Sequence, residues 1–259
     1  MNILFVADVV DQPGRRALET RLRDLRDELD VDFCVVNGEN AANGVGLTPK
    51  LAEKLLSYGA DVITLGNHTW RRPELAPWLD STDRVVRPAN FAAAAPGRGL
   101  TVAEARDGTK VAVINVMGAL YLDVHRHFFE LIDDLVDEAR RETPVVVVDV
   151  HAEATSEKVA LAHWLDGRDA AVVGTHTHVQ TNDARVSAAG TAALTDAGMT
   201  GPHDSVIGVE ARLAIERMRT GMPVRFETAH GDVRIEGALV ECGPDGRAIS
   251  CETVRVPVG

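Results

Sequence analysis

Cysteine is scarce and scattered in this sequence. Its three cysteines, Cys34, Cys242 and Cys251, are an odd number and form no CxxC pair. This spacing speaks against both a disulfide framework and a zinc site built from thiolates. Cys34 lies in an apolar run, and there we expect a small core residue.

Long apolar runs and an excess of positive charge are also missing. No segment approaches the roughly 18 apolar residues of a membrane span, and the apolar residues 1–10 lack a basic leader and include Asp8. We therefore expect a cytoplasmic protein with no membrane partner. Lysine and arginine total 27 against 39 acidic residues, for a net charge of −12, so extended nucleic-acid binding is not expected. A small anionic substrate would need local positive charge, which a metal ion can supply.

The composition otherwise resembles that of a folded enzyme. Hydrophobic residues make up 45% and charged residues 25% of the 259 positions, which is enough for a large core. No repeat, low-complexity tract or long linker is present, so we predict a single domain over residues 1–259.

Short apolar strands alternate with helices in the first 70 residues. A helix is predicted between Thr48, its N-cap, and Gly59, its stop, with Pro49 at the first position. Such alternation favours a parallel sheet covered on both faces. Further along, Asp107-Gly108 predicts a hairpin turn, residues 127–140 a helix, and the residues from 223 onward strands and turns.

Polar side chains that can bind metal recur at the carboxyl ends of five predicted strands. In open α/β sheets, ligands bind in the crevice outside those ends, so residues far apart in sequence converge there. The residues are Asp8, Glu39, Asn40, Asn67, His68, His151, His176 and His178.

The donor set suits divalent metal ions. Apart from His68 it comprises three imidazoles, two carboxylates and two amides, a mixture that fits zinc, manganese or iron. It is large enough for two ions that share a carboxylate bridge. Two ions about 3.5–4 Å apart can clamp the attacking and leaving oxygens of a displacement at phosphorus.

Each of these residues alone also has a plain structural interpretation. A single histidine after a strand, such as His151, is most often a hydrogen-bonded structural residue, and Asp8 before a helix is a common cap. The pair His176 and His178 is more informative, because an extended segment would direct both rings to one side. A purely structural account of the whole set needs several coincidences.

Other polar residues leave alternatives open. Asp149 and Asp196 either orient a ligand imidazole or act as caps. Trp70, Arg71 and Arg72 could touch a base or phosphate; for the two arginines the alternative is a solvated surface face.

Two further segments, 43–46 and 121–129, could each have either a functional or a purely structural role. The loop 43–46 lacks the pattern of a nucleotide-binding loop. His125 and His127 form a second HxH pair without carboxylate partners, in the segment 121–129, which could form a lid or pack against a second subunit of a homo-oligomer. We do not expect a second metal site there.

Six longer blocks of the sequence are informative together. They are "NGENAANG" (37–44), "TLGNHTW" (64–70), "RPAN" (87–90), "HAEATSEK" (151–158), "VGTHTHVQT" (173–181) and "TDAGMTGP" (195–202). These blocks resemble the calcineurin-like metallophosphoesterase superfamily and, within it, the bacterial YmdB-like phosphodiesterase family. Where the superfamily has Asp-x-His early in the chain, this sequence has Asp8-Val9-Val10, and Glu39 stands in place of the usual bridging aspartate. Both departures are typical of the YmdB-like family.

The resemblance implies a fold and a set of roles. The fold would be a four-layer α-β-β-α sandwich with two mixed sheets. Two divalent ions would be bound, with iron or manganese favoured over zinc because an amide oxygen replaces an imidazole at one of them. The first ion would be held by Asp8, Asn40 and His178, the second by Asn67, His151 and His176, and Glu39 would bridge them. His68 would be the catalytic side chain, beside the phosphate.

The predicted activity is phosphodiester hydrolysis by in-line attack of a metal-bound hydroxide. The implied substrate is a small cyclic nucleotide such as 2′,3′- or 3′,5′-cyclic AMP. Three alternatives stay open: a phosphomonoesterase with the same metals, a regulatory nucleotide-binding protein with little turnover, and a structural protein without metal.

Overall fold

The computed structural model describes residues 1–258, which form two β-sheets with helices outside them. The strands are β1 (Asn2–Val6), β2 (Asp8–Val9), β3 (Phe33–Asn37), β4 (Val62–Thr64), β5 (Val85–Val86), β6 (Leu100–Glu104), β7 (Lys110–Met117), β8 (Val146–His151), β9 (Ala171–Thr175), β10 (Arg185–Val186), β11 (Ala192–Leu194), β12 (Met199–Pro202), β13 (Val233–Cys242) and β14 (Ala248–Pro257). The helices are α1 (Asp11–Glu28), α2 (Pro49–Tyr58), α3 (Leu75–Leu79), α4 (Ile132–Glu142), α5 (Thr155–Trp164) and α6 (Ala211–Thr220), with 3-10 turns at Thr69–Arg71 and Phe128–Glu130.

Both sheets are mixed. Over the described residues, the first has the order β2-β12-β13-β1-β3-β4-β5, with β14 also paired to β13, and the second has the order β10-β11-β9-β8-β7-β6. In the first sheet β1, β3, β4 and β5 run parallel, whereas β13 runs antiparallel to β1. In the second, the parallel strands β7, β8, β9 and β11 have antiparallel neighbours at both edges. The expectation of a parallel sheet therefore holds only within these two runs of parallel strands.

The alternation of side chains along β1 shows how the layers are arranged. Ile3 and Phe5 belong to the apolar cluster that lies between the two sheets. Leu4 and Val6 face the other way and pack with residues of α1 and α2. On the far side of the second sheet, α4 and α5 cover a third cluster. The predicted four-layer sandwich is confirmed.

The same alternation directs polar residues of β8 toward the space between the sheets. Val146, Val148 and Val150 pack in the cluster under α4 and α5. Asp149 and His151 have the opposite parity and are fully buried. They lie on the same face of the strand because side chains two residues apart point the same way.

Local signals set the ends of several elements correctly. Thr48 caps α2 by accepting a hydrogen bond from the Leu51 amide, and Gly59 ends that helix with φ 126°. The strands β6 and β7 pair around Asp107 and Gly108 as predicted. The helix predicted over 127–140 starts later, at Ile132, after a 3-10 turn, and α6 was not predicted.

Candidate metal centre

The eight predicted site residues meet at one rim of the sandwich. Asp8 begins β2, Glu39 and Asn40 follow β3, and Asn67 and His68 follow β4. His151 is the last residue of β8, and His176 and His178 follow β9. Convergence arises because β1, β3 and β4 are parallel, as are β8 and β9, so their carboxyl ends lie at common edges.

One group of donors surrounds the imidazole of His151. Its Nε2 atom lies 2.9 Å from Asn67 Oδ1, 3.1 Å from His176 Nδ1 and 3.3 Å from Glu39 Oε1. Donor atoms of Glu39, His151 and His176 all lie within 4.8 Å of one another, close enough to share an ion. His151 and Glu39 are buried, whereas His176 is about one fifth exposed.

A second group lies beside the first. His178 Nε2 is 3.8 Å from Asp8 Oδ1 and 3.1 Å from Asn40 Nδ2. Asn40 Nδ2 is also 3.5 Å from Asp8 Oδ1, and the other Asp8 oxygen accepts a hydrogen bond from the His176 amide at 3.3 Å. Asp8 and Asn40 are buried.

Glu39 connects the groups and also holds His68. The His68 amide donates to Glu39 Oε2 at 3.0 Å, and the His68 Nδ1 atom lies 2.7 Å from Asn40 Oδ1. Gly66 leaves room for this arrangement, since a Cβ atom there would lie 2.3 Å from both Glu39 Oε2 and His151 Nε2.

The hydrogen bonds around the three imidazoles hold one nitrogen of each ring and turn the opposite nitrogen into the site. His151 Nδ1 lies 2.9 Å from the Thr175 hydroxyl, His176 Nε2 lies 3.1 Å from Glu153, and His178 Nδ1 lies 3.0 Å from the Ile207 carbonyl. A ring nitrogen that donates outward leaves the opposite nitrogen as an acceptor. In each ring that opposite nitrogen faces the other donor atoms of the site.

Glu39 provides an independent test of whether a cation fits. Its Oε1 atom lies 3.2 Å from His68 Nδ1 and 3.3 Å from His151 Nε2. Neither contact has the alignment of a hydrogen bond, so this buried oxygen is left without a donor. A buried acceptor without a donor is costly, and a divalent ion would satisfy it together with the imidazole lone pairs. The residues therefore fit a metal ion.

Several carboxyl and imidazole groups of the site are buried close together, and their pKa values are shifted. Burial acts to raise the pKa of Glu39, but the charges of His151 and His68 hold it well below its usual range. Burial opposes the charge of His151, yet Glu39 and neighbouring carboxylates raise its pKa to about 9. Burial and the charge of His151 lower the pKa of His176 to about 3. Burial raises the pKa of Asp8. Carboxylates concentrated in this way favour a bound cation.

The expected extended form of the His176 and His178 pair is wrong. Both residues have positive φ, 100° and 63° respectively, and the segment turns after β9. The two rings therefore serve different groups of donors, His176 beside His151 and His178 beside Asp8.

The two carboxylates considered as supports have different partners. Asp149 accepts a hydrogen bond from the Thr175 hydroxyl at 2.7 Å, and Thr175 in turn contacts His151, so Asp149 is linked to His151 through Thr175. Burial raises the pKa of Asp149 to about 6. Asp196 contacts no imidazole ring among the described residues; it accepts hydrogen bonds from Thr177 and Lys158. Asp196 therefore reaches His176 and His178 only indirectly, through Thr177 between them.

Two supporting contacts were not predicted from the sequence. Glu153, which touches His176, lies inside one of the matching sequence blocks, and that block was the signal that could have indicated it. The Ile207 carbonyl, which touches His178, is a backbone atom and leaves no signal in the sequence.

The arginine and aromatic residues after His68 have structural partners. Arg72 donates to the carbonyls of Val45 and Ala42, at 3.0 and 2.6 Å. The Trp70 ring packs at 5.5 Å from the Phe91 ring.

The second HxH pair lies outside the site. His127 accepts a hydrogen bond from the Phe129 amide and caps the 3-10 turn. Its Nε2 atom is 3.8 Å from Glu157, so the expectation that this pair lacks a carboxylate neighbour is wrong for His127. Over residues 1–258 no metal-binding group includes His125 or His127.

Comparison with known proteins places the chain in a family. The profile of the YmdB-like protein family matches residues 4–254. A 2′,3′-cyclic-nucleotide 2′-phosphodiesterase of Bacillus subtilis is 46% identical over 241 residues, which cover 93% of this chain and 91% of that relative. A crystal structure of a hypothetical protein from Thermus thermophilus matches with a TM-score of 0.92 at 40% identity and covers 99% of both chains. A Mycoplasma pneumoniae protein described as a novel phosphatase matches with a TM-score of 0.90 at 31% identity, over 99% of this chain and 93% of that chain. The chain therefore belongs to the YmdB-like protein family and has the metallophosphoesterase fold.

Proposed function

We propose that this protein is a phosphodiesterase that depends on two divalent metal ions and hydrolyses small phosphodiesters, with a cyclic nucleotide as substrate. The observation that carries the proposal is the set of three imidazoles whose inner nitrogens lie beside buried carboxylates. The activity of the Bacillus subtilis relative supports the choice of a diester and of a cyclic nucleotide.

The donors divide between two ions that share Glu39. Asn67, His151 and His176 would hold one ion, and Asp8, Asn40 and His178 the other. Oxygen donors predominate around the second ion, which favours manganese or iron over zinc. Two divalent ions at such a site lower the pKa of water and neutralise charge on phosphoryl oxygens.

Besides binding an ion, Asn40 would form a hydrogen bond with His68. Its Oδ1 atom faces His68 Nδ1, and its Nδ2 atom faces Asp8 and His178. A half-turn of the amide exchanges these two atoms within the same space. The oxygen would then serve the ion, and the Nδ2 group would donate to His68 Nδ1.

His68 is the residue we assign to the leaving oxygen. Among residues 1–258 its Nε2 atom has no hydrogen-bond partner, and the side chain is 25% exposed. With Nδ1 accepting from Asn40, Nε2 carries the proton. It can donate to the leaving oxygen or to the charge that develops on it.

The proposal is tested first with defined metals and two artificial substrates. After loading with Mn²⁺ or Fe²⁺, the protein should hydrolyse bis-p-nitrophenyl phosphate faster than p-nitrophenyl phosphate, and it should hydrolyse 2′,3′-cyclic AMP. A strong preference for the monoester would replace the proposal with a phosphomonoesterase.

Two substitutions separate metal binding from catalysis. Glu39→Ala should lose both ions, because the shared carboxylate is removed. His68→Ala should retain the ions and lose about 100-fold or more in kcat. His163→Ala, on the exposed face of α5, is the matched control and should behave as the wild type. Full metal content in Glu39→Ala would refute the bridging role.

A further inference from the structure

A buried ion pair lies behind the turn that carries His176 and His178. Lys158 on α5 donates to Asp196 Oδ2 at 2.8 Å, and each side chain is only 2% exposed. Removing a lysine from water to this extent is costly and offers little net stabilisation compared with an apolar pair. The pair therefore calls for an explanation other than the stability of the core.

Asp196 uses the same oxygen to hold Thr177, the residue between the two histidines. The Thr177 amide donates to Asp196 Oδ2 at 3.1 Å, and the Thr177 hydroxyl donates at 2.8 Å. Both flanking histidines have positive φ, a backbone conformation that non-glycine residues keep only where the surroundings enforce it. Asp196 constrains this backbone conformation through its hydrogen bonds to Thr177.

The other oxygen of Asp196 reaches toward Asp8. Asp196 Oδ1 accepts the Gly198 amide at 2.9 Å, and the next residue, Met199, pairs with Asp8 in the short parallel contact of β12 with β2. One carboxylate thus fixes the turn of His176 and His178 and the segment against which Asp8 is aligned.

We propose that Lys158, Asp196 and Thr177 form a latch that positions three metal ligands, His176, His178 and Asp8, and thereby sets metal affinity. The three latch residues are positioning residues. Lys158 fixes the Asp196 carboxylate by charge, and Asp196 transmits that position through the Thr177 hydroxyl and amide. This inference rests on the proposed function, because it assigns the latch to the same metal centre.

The test substitutes Thr177, whose side chain can be changed without leaving a buried charge unpaired. Thr177→Val keeps the shape and removes the hydroxyl donor, whereas Thr177→Ser keeps the donor. The affinity for Mn²⁺ is measured on the full chain by titration calorimetry, with circular dichroism melts to verify folding. We expect Thr177→Val to bind Mn²⁺ about 10–100-fold more weakly and Thr177→Ser to remain within about threefold of the wild type.

Thr191→Val is the matched control for loss of a threonine-aspartate hydrogen bond. The Thr191 hydroxyl donates to the buried Asp169 at 2.9 Å, at the opposite end of β11 from Asp196. This variant should melt at a lower temperature than the wild type and bind Mn²⁺ with wild-type affinity. It separates a general loss of stability from a loss of ligand positioning.

The outcomes distinguish the latch from the proposed function. Wild-type Mn²⁺ affinity in a folded Thr177→Val would overturn the latch and leave the metal centre intact, as would equal losses in Thr177→Ser and Thr177→Val. If Thr177→Val does not fold, the Mn²⁺ affinity of Thr177→Ala is compared instead with those of the wild type and Thr177→Ser. A wild-type chain that binds no Mn²⁺ or Fe²⁺ would overturn the proposed function and the latch together.

Discussion

Gly66→Ala offers a sharp test of the proposed metal centre, because it perturbs two proposed ligands, Glu39 and His151, without removing either. The new Cβ atom would lie 2.3 Å from Glu39 Oε2 and from His151 Nε2, whereas ordinary contacts begin at 3.4 Å. Unless residue 66 itself shifts, both partners must therefore move by about 1 Å. Both are buried and have little space in which to move. Metal–ligand distances normally lie within about 0.2 Å of their usual values, so a displacement of this size would disturb the site.

The expected loss follows from that displacement. A misplacement of about 1 Å costs on the order of 100-fold in rate, equivalent to about 2.7 kcal/mol, and overpacking costs about 1–3 kcal/mol in the free energy of unfolding. The assays are metal content by atomic emission after Mn²⁺ loading, hydrolysis of bis-p-nitrophenyl phosphate, and thermal melting. Gly243→Ala is the control, since its Cβ atom would meet only the end of the exposed Asp245 side chain. A Gly66→Ala protein with wild-type metal content and turnover would show that Glu39 and His151 do not bind the ions.

Two further predictions concern charge. Glu153→Gln removes the carboxylate that faces His176 Nε2 at 3.1 Å; we expect Mn²⁺ affinity to fall about tenfold, and unchanged affinity in a calorimetric titration would exclude this support. Burial raises the pKa of Asp169 to about 7, so the folded state keeps a proton that the unfolded state loses near pH 4. The stability that this proton contributes is complete below that pH and is lost as the pH rises through 7, by about 1.4 kcal/mol for each pH unit between the folded and unfolded pKa values. In urea unfolding from pH 5 to 8, Asp169→Asn should show a smaller loss than the wild type, and parallel profiles would contradict the raised pKa.

Much of the fold follows from local patterns that the sequence displays openly. Leu18, Leu22 and Leu25 recur at helical spacing and are buried on α1, and Thr48 caps α2 as its residue type predicts. The helix α6 was not predicted, because only Leu213 and Ala214 of that helix are buried. Its apolar stripe is too narrow to give a periodic signal in the sequence. The placement of β13 beside β1 depends on pairing between residues more than 200 positions apart, and such pairing has no local signature.

The site likewise combines features that the sequence predicts with features that it does not. The positions of its donors followed from one physical rule, that the carboxyl ends of parallel strands share an edge, and the division into two ions came from the family resemblance. The turn at His176 and His178 could not be predicted, because positive φ is uncommon for any residue other than glycine. In addition, Thr177 between them is hydrogen-bonded to Asp196, which lies 19 positions away. A single sequence does not reveal that contact.

The pairing of β13 with both β1 and β12 has a consequence for synthesis of the chain. β13 lies between β1 and β12 in the first sheet, and β12 is the strand that aligns Asp8. During synthesis on a ribosome, Asp8, Glu39 and His151 emerge long before residues 233–242. Until those residues emerge, β1 lacks its antiparallel neighbour β13. Contacts between such distant segments form slowly. The residues proposed as ligands can therefore come together only after residues 233–242 have been synthesised.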